Sequence, residues 1–229
     1  MAGKAYANRK PMAERNPQDE YPTPSSLISC ASRLFSSFLF SSIPILDPCC
    51  GTSHVFRREL GKLGYTVVEN DINQGPGGSG DGRDYLSDRA LWAYEQVAMN
   101  PPFTQWDDFV RTAKSHARTV IALGRLNYLS TQSRLESGIW DGLAAVAPFS
   151  RYVDYRTPFR EDGAFHVGAM ATGWFVWLKG YAEAPKVQFI DVQKYATLGS
   201  YTEPPAHRRN ANQNNAPDLF SSIEENNQP

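Results

Sequence analysis

The segment with the clearest chemical character in this sequence is Asn100-Pro101-Pro102-Phe103. Two consecutive prolines carry no N–H group and restrict the backbone, so the carbonyl groups of Asn100 and Pro101 can point into a cleft. The Asn100 side chain offers a further acceptor oxygen, and Phe103 offers a flat ring on which a base can stack. Acceptors beside a stacking surface suit a planar base that carries an amine, which is the substrate class this segment predicts.

Acidic residues and a glycine mark the ends of two predicted strands. Asp47 and Pro48 end the first strand, and Gly51 lets the backbone approach a ligand at the start of the next helix. Asp71 follows the second strand, 20 positions after Gly51. In nucleoside-binding folds a strand-end acid at about this spacing binds the hydroxyl groups of a ribose. An ordinary turn capped by Asp47 and a solvated loop acid at Asp71 are the alternatives.

A third acid, Asp84, begins the triplet Asp84-Tyr85-Leu86, where a further strand end is expected. Its carboxylate can accept a hydrogen bond from the exocyclic amine of a bound nucleoside. Capping of the short helix that follows is an equally good interpretation of the same residue.

Strand-like and helix-like segments alternate along the chain, and they must position these residues. Apolar runs predict strands at 43–46, 65–69, 96–99 and 119–123, with later strands near 143–147, 173–179 and 187–190. Caps and apolar periodicity predict helices at 24–39, 54–63, 87–94 and 106–117, the first of them capped by Thr23. This alternation is typical of an α/β fold with a mostly parallel sheet, helices on both faces and an antiparallel strand late in the chain.

Composition limits the class of protein. The 229 residues are 41% hydrophobic, which suffices for one core or at most two small ones. Lys and Arg total 23 against 24 Asp and Glu, so a polybasic nucleic-acid binder is excluded, although a local basic face is not. No apolar run approaches the roughly 18–20 residues of a membrane span. Three cysteines cannot form a disulfide framework, and a cytoplasmic protein is expected.

The chain divides by composition into three parts. Residues 1–20 predict a flexible basic arm, residues 21–202 one catalytic domain, and residues 203–229 a disordered polar tail. No metal site is predicted, because the adjacent Cys49 and Cys50 and the scattered histidines lack the spacing of metal ligands. Two of those histidines, His54 and His116, are expected on helix surfaces.

Taken in order, these motifs resemble those of S-adenosylmethionine-dependent amino-methyltransferases. The shared features are the Asp47-Pro48-x-x-Gly51 turn, the acid at 71, the triplet at 84–86 and the segment at 100–103. The sequence looks most like the small bacteriophage-type DNA N6-adenine methyltransferases, over roughly residues 20–180. Tyr21, Thr23 and Pro24 resemble the lead-in that helps to bind the cofactor in that group.

The resemblance implies a Rossmann-like class I methyltransferase that transfers a methyl group from S-adenosylmethionine to adenine N6 in DNA, in a bacterial or phage-infected cytoplasm. The cofactor-binding residues it implies are Tyr21, Thr23, Pro24, Asp47, Pro48, Gly51, Asp71, Asp84, Tyr85 and Asn100. The catalytic residues it implies are Asn100, Pro101, Pro102 and Phe103. In this scheme Asp71 binds the ribose, Asp84 the adenine amine, and Asn100 the target amine.

Arginine residues cluster in the connections around the predicted cleft. The candidates for nucleic-acid contact are Arg125, Arg134, Arg156 and His166, in a stretch of about residues 125–172 expected to contact the substrate. Solvated surface arginine is the alternative interpretation.

Other functions stay open at this point. The same signature resembles enzymes that methylate cytosine N4 in DNA, a guanine amine in RNA, or a protein glutamine. A rival from another class is a non-catalytic nucleotide-binding module that keeps only the fold.

Overall fold

The protein folds around a seven-stranded sheet, seen in a computed structural model that describes residues 23–73, 82–153 and 170–192. The strands are β1 (Ile45–Asp47), β2 (Val67–Glu69), β3 (Gln96–Met99), β4 (Thr119–Arg125), β5 (Leu143–Pro148), β6 (Thr172–Leu178) and β7 (Lys186–Val187). The helices are α1 (Ser25–Ser29), α2 (Ser32–Phe38), α3 (Val55–Gly61), α4 (Trp106–His116) and α5 (Gln132–Glu136), with 3₁₀ helices at Arg89–Ala93 and Leu126–Ser130. The predicted arm and tail, and also Tyr21, Arg156 and His166, lie outside the described residues.

The strand order is β2-β1-β3-β4-β6-β5-β7, in which β6 is antiparallel to both neighbours and every other pair is parallel. The predicted mostly parallel fold with a late antiparallel strand is confirmed. From β1 the chain passes to β2 on one side and then to β3 on the other, so the direction of winding reverses between β1 and β3. Ligands bind in such sheets at the carboxyl ends of the strands beside that reversal.

Alternating side chains of the strands build two cores on opposite faces of the sheet. Trp174 and Val176 of β6 pack in the core that contains α1, α2 and α3, whereas Phe175 and Trp177 pack in the core that contains α4. Burial of a large apolar side chain stabilises the fold by roughly 1.5–3 kcal/mol. The Trp174 indole also donates a hydrogen bond to the Leu27 carbonyl oxygen at 3.1 Å, which ties β6 to α1. Helices therefore cover both faces, as predicted.

The first predicted helix, 24–39, is instead two short helices, α1 and α2. The Cys30 thiol, between them, donates a hydrogen bond to the Ser26 carbonyl oxygen. Side chains that bond to the backbone in this way compete with continuation of a helix. Thr23 is not the cap of α1, because Pro24 occupies the N-cap position and no side-chain cap forms there.

Other elements also differ from the predicted ranges. β1 and β2 begin two residues later than predicted. Pro44 has no N–H to donate to a neighbouring strand, so pairing starts at Ile45, whose N–H reaches the Thr66 carbonyl oxygen at 2.9 Å. The helix predicted at 87–94 is the 3₁₀ helix Arg89–Ala93, which the Asp88 side chain caps.

The helices of the described ranges are short. The longest of them, α4, has 11 residues, against the roughly 20 that a membrane crossing requires. No helix within residues 23–73, 82–153 or 170–192 is long and apolar enough to cross a membrane.

Gly173 of β6 is a position where one added carbon should disturb the sheet. A Cβ atom there would lie 2.6 Å from the Ala147 carbonyl oxygen and 2.9 Å from the Pro148 Cα of β5. Gly173→Ala is therefore expected to lower the free energy of unfolding by about 1–3 kcal/mol, the usual cost of overpacking. Urea denaturation followed by circular dichroism measures this change.

The matched control is Gly61→Ala in α3, where an added Cβ meets no atom within 4 Å. Because alanine forms helices better than glycine, this variant should be unchanged or more stable by up to about 1 kcal/mol. Equal stability of the two variants would contradict the close approach of β5 and β6.

Candidate active site

A cavity of about 290 Å³ lies at the carboxyl ends of β1 and β3, where the winding of the sheet reverses. The predicted site residues that line it are Thr23, Pro48, Gly51, Asp71, Asp84, Tyr85, Asn100, Pro101, Pro102 and Phe103. The predicted residues in the described ranges that are not part of its lining are Pro24, Asp47, Arg125 and Arg134. Folding thus gathers most of the sequence-predicted residues into one cleft.

The turn after β1 and the acid after β2 are joined by a direct hydrogen bond. The Gly51 N–H donates to Asp71 Oδ2 at 2.9 Å, and the Asn73 N–H donates to Asp71 Oδ1 at 2.8 Å. Gly51 has a φ of 57°, a left-handed conformation that glycine adopts without steric cost. The 20-residue spacing seen in the sequence therefore corresponds to a contact that holds the Asp71 carboxylate at the cavity wall.

Asp47, the last residue of β1, is a fully buried acid. Its Oδ1 accepts a hydrogen bond from the Cys49 N–H at 3.3 Å, while its buried Oδ2 accepts none among the described residues. Burial raises the pKa of Asp47 well above its usual value, and the nearby carboxylates of Glu69 and Asp71 raise it further. Asp47 thus shapes the turn, and its surroundings favour the uncharged form of its carboxyl group.

Asp84 organises its own turn, whereas the short helix that follows is capped by Asp88 and not by Asp84. Its Oδ1 accepts from the Leu86 N–H at 3.0 Å and its Oδ2 from the Ser87 hydroxyl at 2.9 Å. The neighbouring Tyr85 is buried, and its hydroxyl lies 2.8 Å from His116 Nε2. These contacts hold the 84–86 triplet in a defined position against the cavity.

His54 and His116 were expected on helix surfaces, and this prediction is wrong in its details. His54 is the N-cap of α3 rather than a helical residue, and its φ is 50°. His116 is the last residue of α4, but it is half-buried between Tyr85 and the carbonyl oxygen of Tyr94, which its Nδ1 contacts at 2.9 Å. Burial lowers the pKa of His116, so its neutral form is favoured.

The segment after β3 is held in place from two sides. The Asn100 amide donates through Nδ2 to Thr23 Oγ1 at 2.9 Å. The Cys49 thiol, on the turn after β1, contacts the Asn100 carbonyl oxygen at 3.4 Å. Because Nδ2 is the donor of the Asn100 amide, Oδ1 is its acceptor atom, the type of group that is predicted to bind a base amine.

Phe103 is mostly buried, at 8% exposure, because other side chains cover it. The Arg125 guanidinium lies over its ring, 4.6 Å from the centroid. The Tyr128 hydroxyl donates to the Phe103 carbonyl oxygen at 3.4 Å. The Phe103 ring is thus buried at the cavity with an arginine over one of its faces, and the stacking of a base on it stays a prediction.

Arg134 has close protein partners. Its Nε donates to Asp107 Oδ1 at 2.8 Å, and its guanidinium lies 4.0 Å from the centroid of the Tyr128 ring. These contacts hold α5 against α4, a structural role that the sequence did not reveal. Its contact with nucleic acid stays a prediction.

Asn70 is a site residue that the sequence argument missed. It is 1% exposed, and its Nδ2 donates to the Pro48 carbonyl oxygen at 3.2 Å and to the Arg83 carbonyl oxygen at 2.9 Å. This side chain therefore connects the turn after β1 to the approach to the 84–86 triplet. The only sign of this role in the sequence was that Asn70 is a polar residue between two acids at a strand end. The local sequence does not show which groups Asn70 binds.

Comparisons with known proteins bear on the fold. No protein-family model and no curated protein matches this sequence. A protein from Pyrococcus horikoshii, described as a candidate RNA methyltransferase, is 16% identical over 72% of this chain and 91% of its own, with a TM-score of 0.51. The modification subunit of a candidate type I restriction enzyme from Vibrio vulnificus is 11% identical over 75% of this chain, with a TM-score of 0.50. The match covers 47% of that subunit, about half its length.

At these identities the likeness concerns the fold alone. Together with the strand order and the late antiparallel strand, it shows that the chain has the Rossmann-like class I methyltransferase fold, as predicted. The roles of the site residues stay predictions.

The buried Asp47 gives a prediction about stability and pH. Asp47→Asn keeps an acceptor for the Cys49 N–H and removes a buried charge near Glu69 and Asp71. Because the folded-state pKa of Asp47 is raised, the wild type loses stability as the pH rises from about 4 through that pKa, whereas the variant does not. The variant should therefore be the more stable protein at about pH 8, and the difference should shrink towards about pH 4.

Urea denaturation at several pH values measures this difference. Asp108→Asn, an exposed acid on α4, is the matched control and should show a difference of no more than about 0.5 kcal/mol at any pH. A destabilised Asp47→Asn at neutral pH would contradict the electrostatic account of Asp47.

Proposed function

We propose that this protein transfers a methyl group from S-adenosylmethionine to the exocyclic N6 of adenine in DNA. The observation that carries the proposal is that Asn100, Asp71 and Asp84 line one cavity. That cavity offers acceptors for a nucleoside cofactor and, beside them, the acceptor and ring that an amine-bearing base requires. The choice of DNA and of adenine rests on the resemblance of segment 100–103 to the phage-type enzymes. The Vibrio vulnificus neighbour, a modification subunit of a restriction enzyme, is compatible with that choice.

The acidic surroundings of the cavity fit the cofactor. When bound, S-adenosylmethionine supplies a methyl group on a positively charged sulfur that is already activated for transfer. Asp71, anchored by the Gly51 N–H, keeps further lone pairs for two ribose hydroxyls. Asp47 borders the methionine end through the turn it shapes. Its charge, disfavoured by burial and by Glu69 and Asp71, is stabilised by a cation nearby.

Asn100 is the residue that prepares the target amine. An aromatic amine is a poor nucleophile because its lone pair is delocalised into the ring. An acceptor such as Asn100 Oδ1, with the Pro101 carbonyl oxygen beside it, draws the amine towards tetrahedral geometry and localises that lone pair. The hydrogen bond from Asn100 Nδ2 to Thr23 fixes the amide for this task before the base arrives.

Phe103 binds the base by stacking, and the base takes the place of the Arg125 guanidinium on the ring. A cation over an aromatic ring is worth about 0.5–2 kcal/mol. Stacking of a base on such a ring is worth about 1–3 kcal/mol, so a base can replace the Arg125 guanidinium at little net cost. Arg125 Nε is buried and donates no hydrogen bond within the described residues. On leaving the ring, it gains phosphate oxygens as acceptors.

Other acceptors of the methyl group make the main alternatives. Cytosine N4 in DNA, a guanine amine in RNA and a protein glutamine all present a planar nitrogen to Asn100. A non-catalytic nucleotide-binding module is the alternative from another class. Mass spectrometry of nucleosides and protein from cells that express the wild type or Asn100→Ala distinguishes them. N6-methyladenine with the wild type alone supports the proposal, another methylated product replaces it, and no product favours the non-catalytic module.

Asn100→Ala is expected to slow methyl transfer strongly while cofactor binding is kept. Loss of one positioned acceptor lowers the rate by roughly 100–1,000-fold. Cofactor affinity should change by less than about tenfold, because only one hydrogen bond near the cofactor is removed. Radiolabelled methyl transfer and isothermal titration calorimetry measure the two quantities. Asp108→Asn is the surface control, and undiminished turnover in Asn100→Ala would exclude the role of Asn100.

Arg125→Gln is expected to weaken DNA binding about tenfold and to reduce the slope of log affinity against log salt by about one. Lys179→Gln is the matched control. Lys179 follows the carboxyl end of the antiparallel strand β6, so it lies at the opposite edge of the sheet from the cavity. Fluorescence anisotropy with a labelled duplex at several salt concentrations measures both. Equal effects of the two substitutions would exclude a specific phosphate contact by Arg125.

A further inference from the structure

Three side chains with metal-binding atoms meet beside the turn after β1. The Cys50 thiol, a ring nitrogen of His54 and a carboxylate oxygen of Glu69 all lie within 4.8 Å of one another. We call them the Cys50–His54–Glu69 cluster. They come from the β1–α3 turn, the N-cap of α3 and the last residue of β2. The spacing of cysteine and histidine in the sequence predicted no metal site. Folding nevertheless brings a histidine and a glutamate next to Cys50.

Glu69 is the residue of the cluster that indicates a bound ligand. Its side chain is 5% exposed, and its Oε2 lies 3.1 Å from His54 Nδ1 and 3.3 Å from Arg57 Nη1. Its other oxygen, Oε1, is buried and accepts no hydrogen bond among the described residues. A buried carboxylate oxygen without a partner is costly, and a bound cation removes that cost.

The charges around the cluster also favour a cation. The Glu69 carboxylate lies within 4.8 Å of the Cys50 thiol and of a His54 ring nitrogen. Among the described residues Arg57 pairs with Glu69, but the Arg57 side chain is 70% exposed, so water screens its charge. A divalent ion at this position stabilises thiolate and carboxylate together.

We infer that Cys50, His54 and Glu69 bind one divalent metal ion of the zinc type. A thiolate, an imidazole and a carboxylate form a mixed set that suits zinc, which takes four ligands in tetrahedral geometry. Three protein ligands leave a fourth position for water. On binding, the Cys50 thiol loses its proton to solvent and the neutral His54 ring donates a lone pair through nitrogen.

The ion joins three elements that together position the cavity wall. Cys50 precedes Gly51, and Glu69 lies two residues before Asp71, so the cluster lies next to the Gly51–Asp71 hydrogen bond. The metal therefore ties the turn that bears the cavity to the end of β2. Metal binding requires neither cofactor nor DNA, so its test is independent of the proposed methyl transfer.

The experiment uses the purified full-length chain after treatment with a chelator. Equilibrium dialysis with zinc measures stoichiometry, and titration with cobalt(II) detects thiolate ligation through a charge-transfer band in the near ultraviolet. The wild type should bind one equivalent with that band. Cys50→Ser should lose the band. Cys50→Ser and His54→Ala should each bind zinc roughly a hundredfold more weakly, because loss of a ligand costs at least as much as loss of a group that only orients one. Cys30→Ser, which removes a half-buried thiol outside the cluster, should bind as the wild type does.

Thermal unfolding gives a second measurement. Zinc should raise the melting temperature of the wild type and of Cys30→Ser, and should leave that of Cys50→Ser unchanged. Glu69→Gln keeps the shape of the side chain but is a weaker metal ligand. This variant tests the site if another variant fails to fold. No bound equivalent in the wild type would overturn the inference. So would an unchanged cobalt band in Cys50→Ser or unchanged zinc affinity in both His54→Ala and Glu69→Gln.

Discussion

The candidate site depends on the parallel pairing of one three-residue strand, β1, with β2 and β3. In this pairing Asp47 lies beside Glu69, at the edge where the strands end. Because parallel strands end at the same edge of a sheet, the turns that follow them converge there. The contact between Cys49 and Asn100, 51 positions apart in sequence, is a direct consequence.

The same edge concentrates polar groups that the fold alone leaves without partners. Asp47 Oδ2, Glu69 Oε1, Asn70 Oδ1 and Arg125 Nε are all buried, and none forms a hydrogen bond among the described residues. Groups of this kind destabilise a protein unless a ligand satisfies them. These are four of the six such atoms in the described residues, and all four lie at or just after the carboxyl ends of β1, β2 and β4; the other two are Ser26 Oγ and Gln188 Oε1. The proposals assign a cationic cofactor to Asp47, a metal ion to Glu69 and a DNA phosphate to Arg125.

Much of the fold could be predicted from local pattern. β3 and α4 match their predicted ranges closely, because a buried apolar run and a long amphipathic period identify an element without outside help. The break near Cys30 and the late start of β1 after Pro44 were missed. Both follow from single residues: the Cys30 thiol bonds to the backbone, and the Pro44 nitrogen carries no hydrogen. The periodicity of apolar residues does not reveal such effects.

The sequence by itself determined which chemical groups stand at the strand ends, including Gly51, Asp71 and segment 100–103, since strand ends and turns are local features. Only the tertiary structure decided what surrounds them. Asp47 is fully buried, Arg125 covers Phe103, and Cys50 lies beside Glu69. These facts depend on strand order and on the register between segments far apart in the chain. Burial and pairing are properties of that arrangement in space, and no local spacing encodes them.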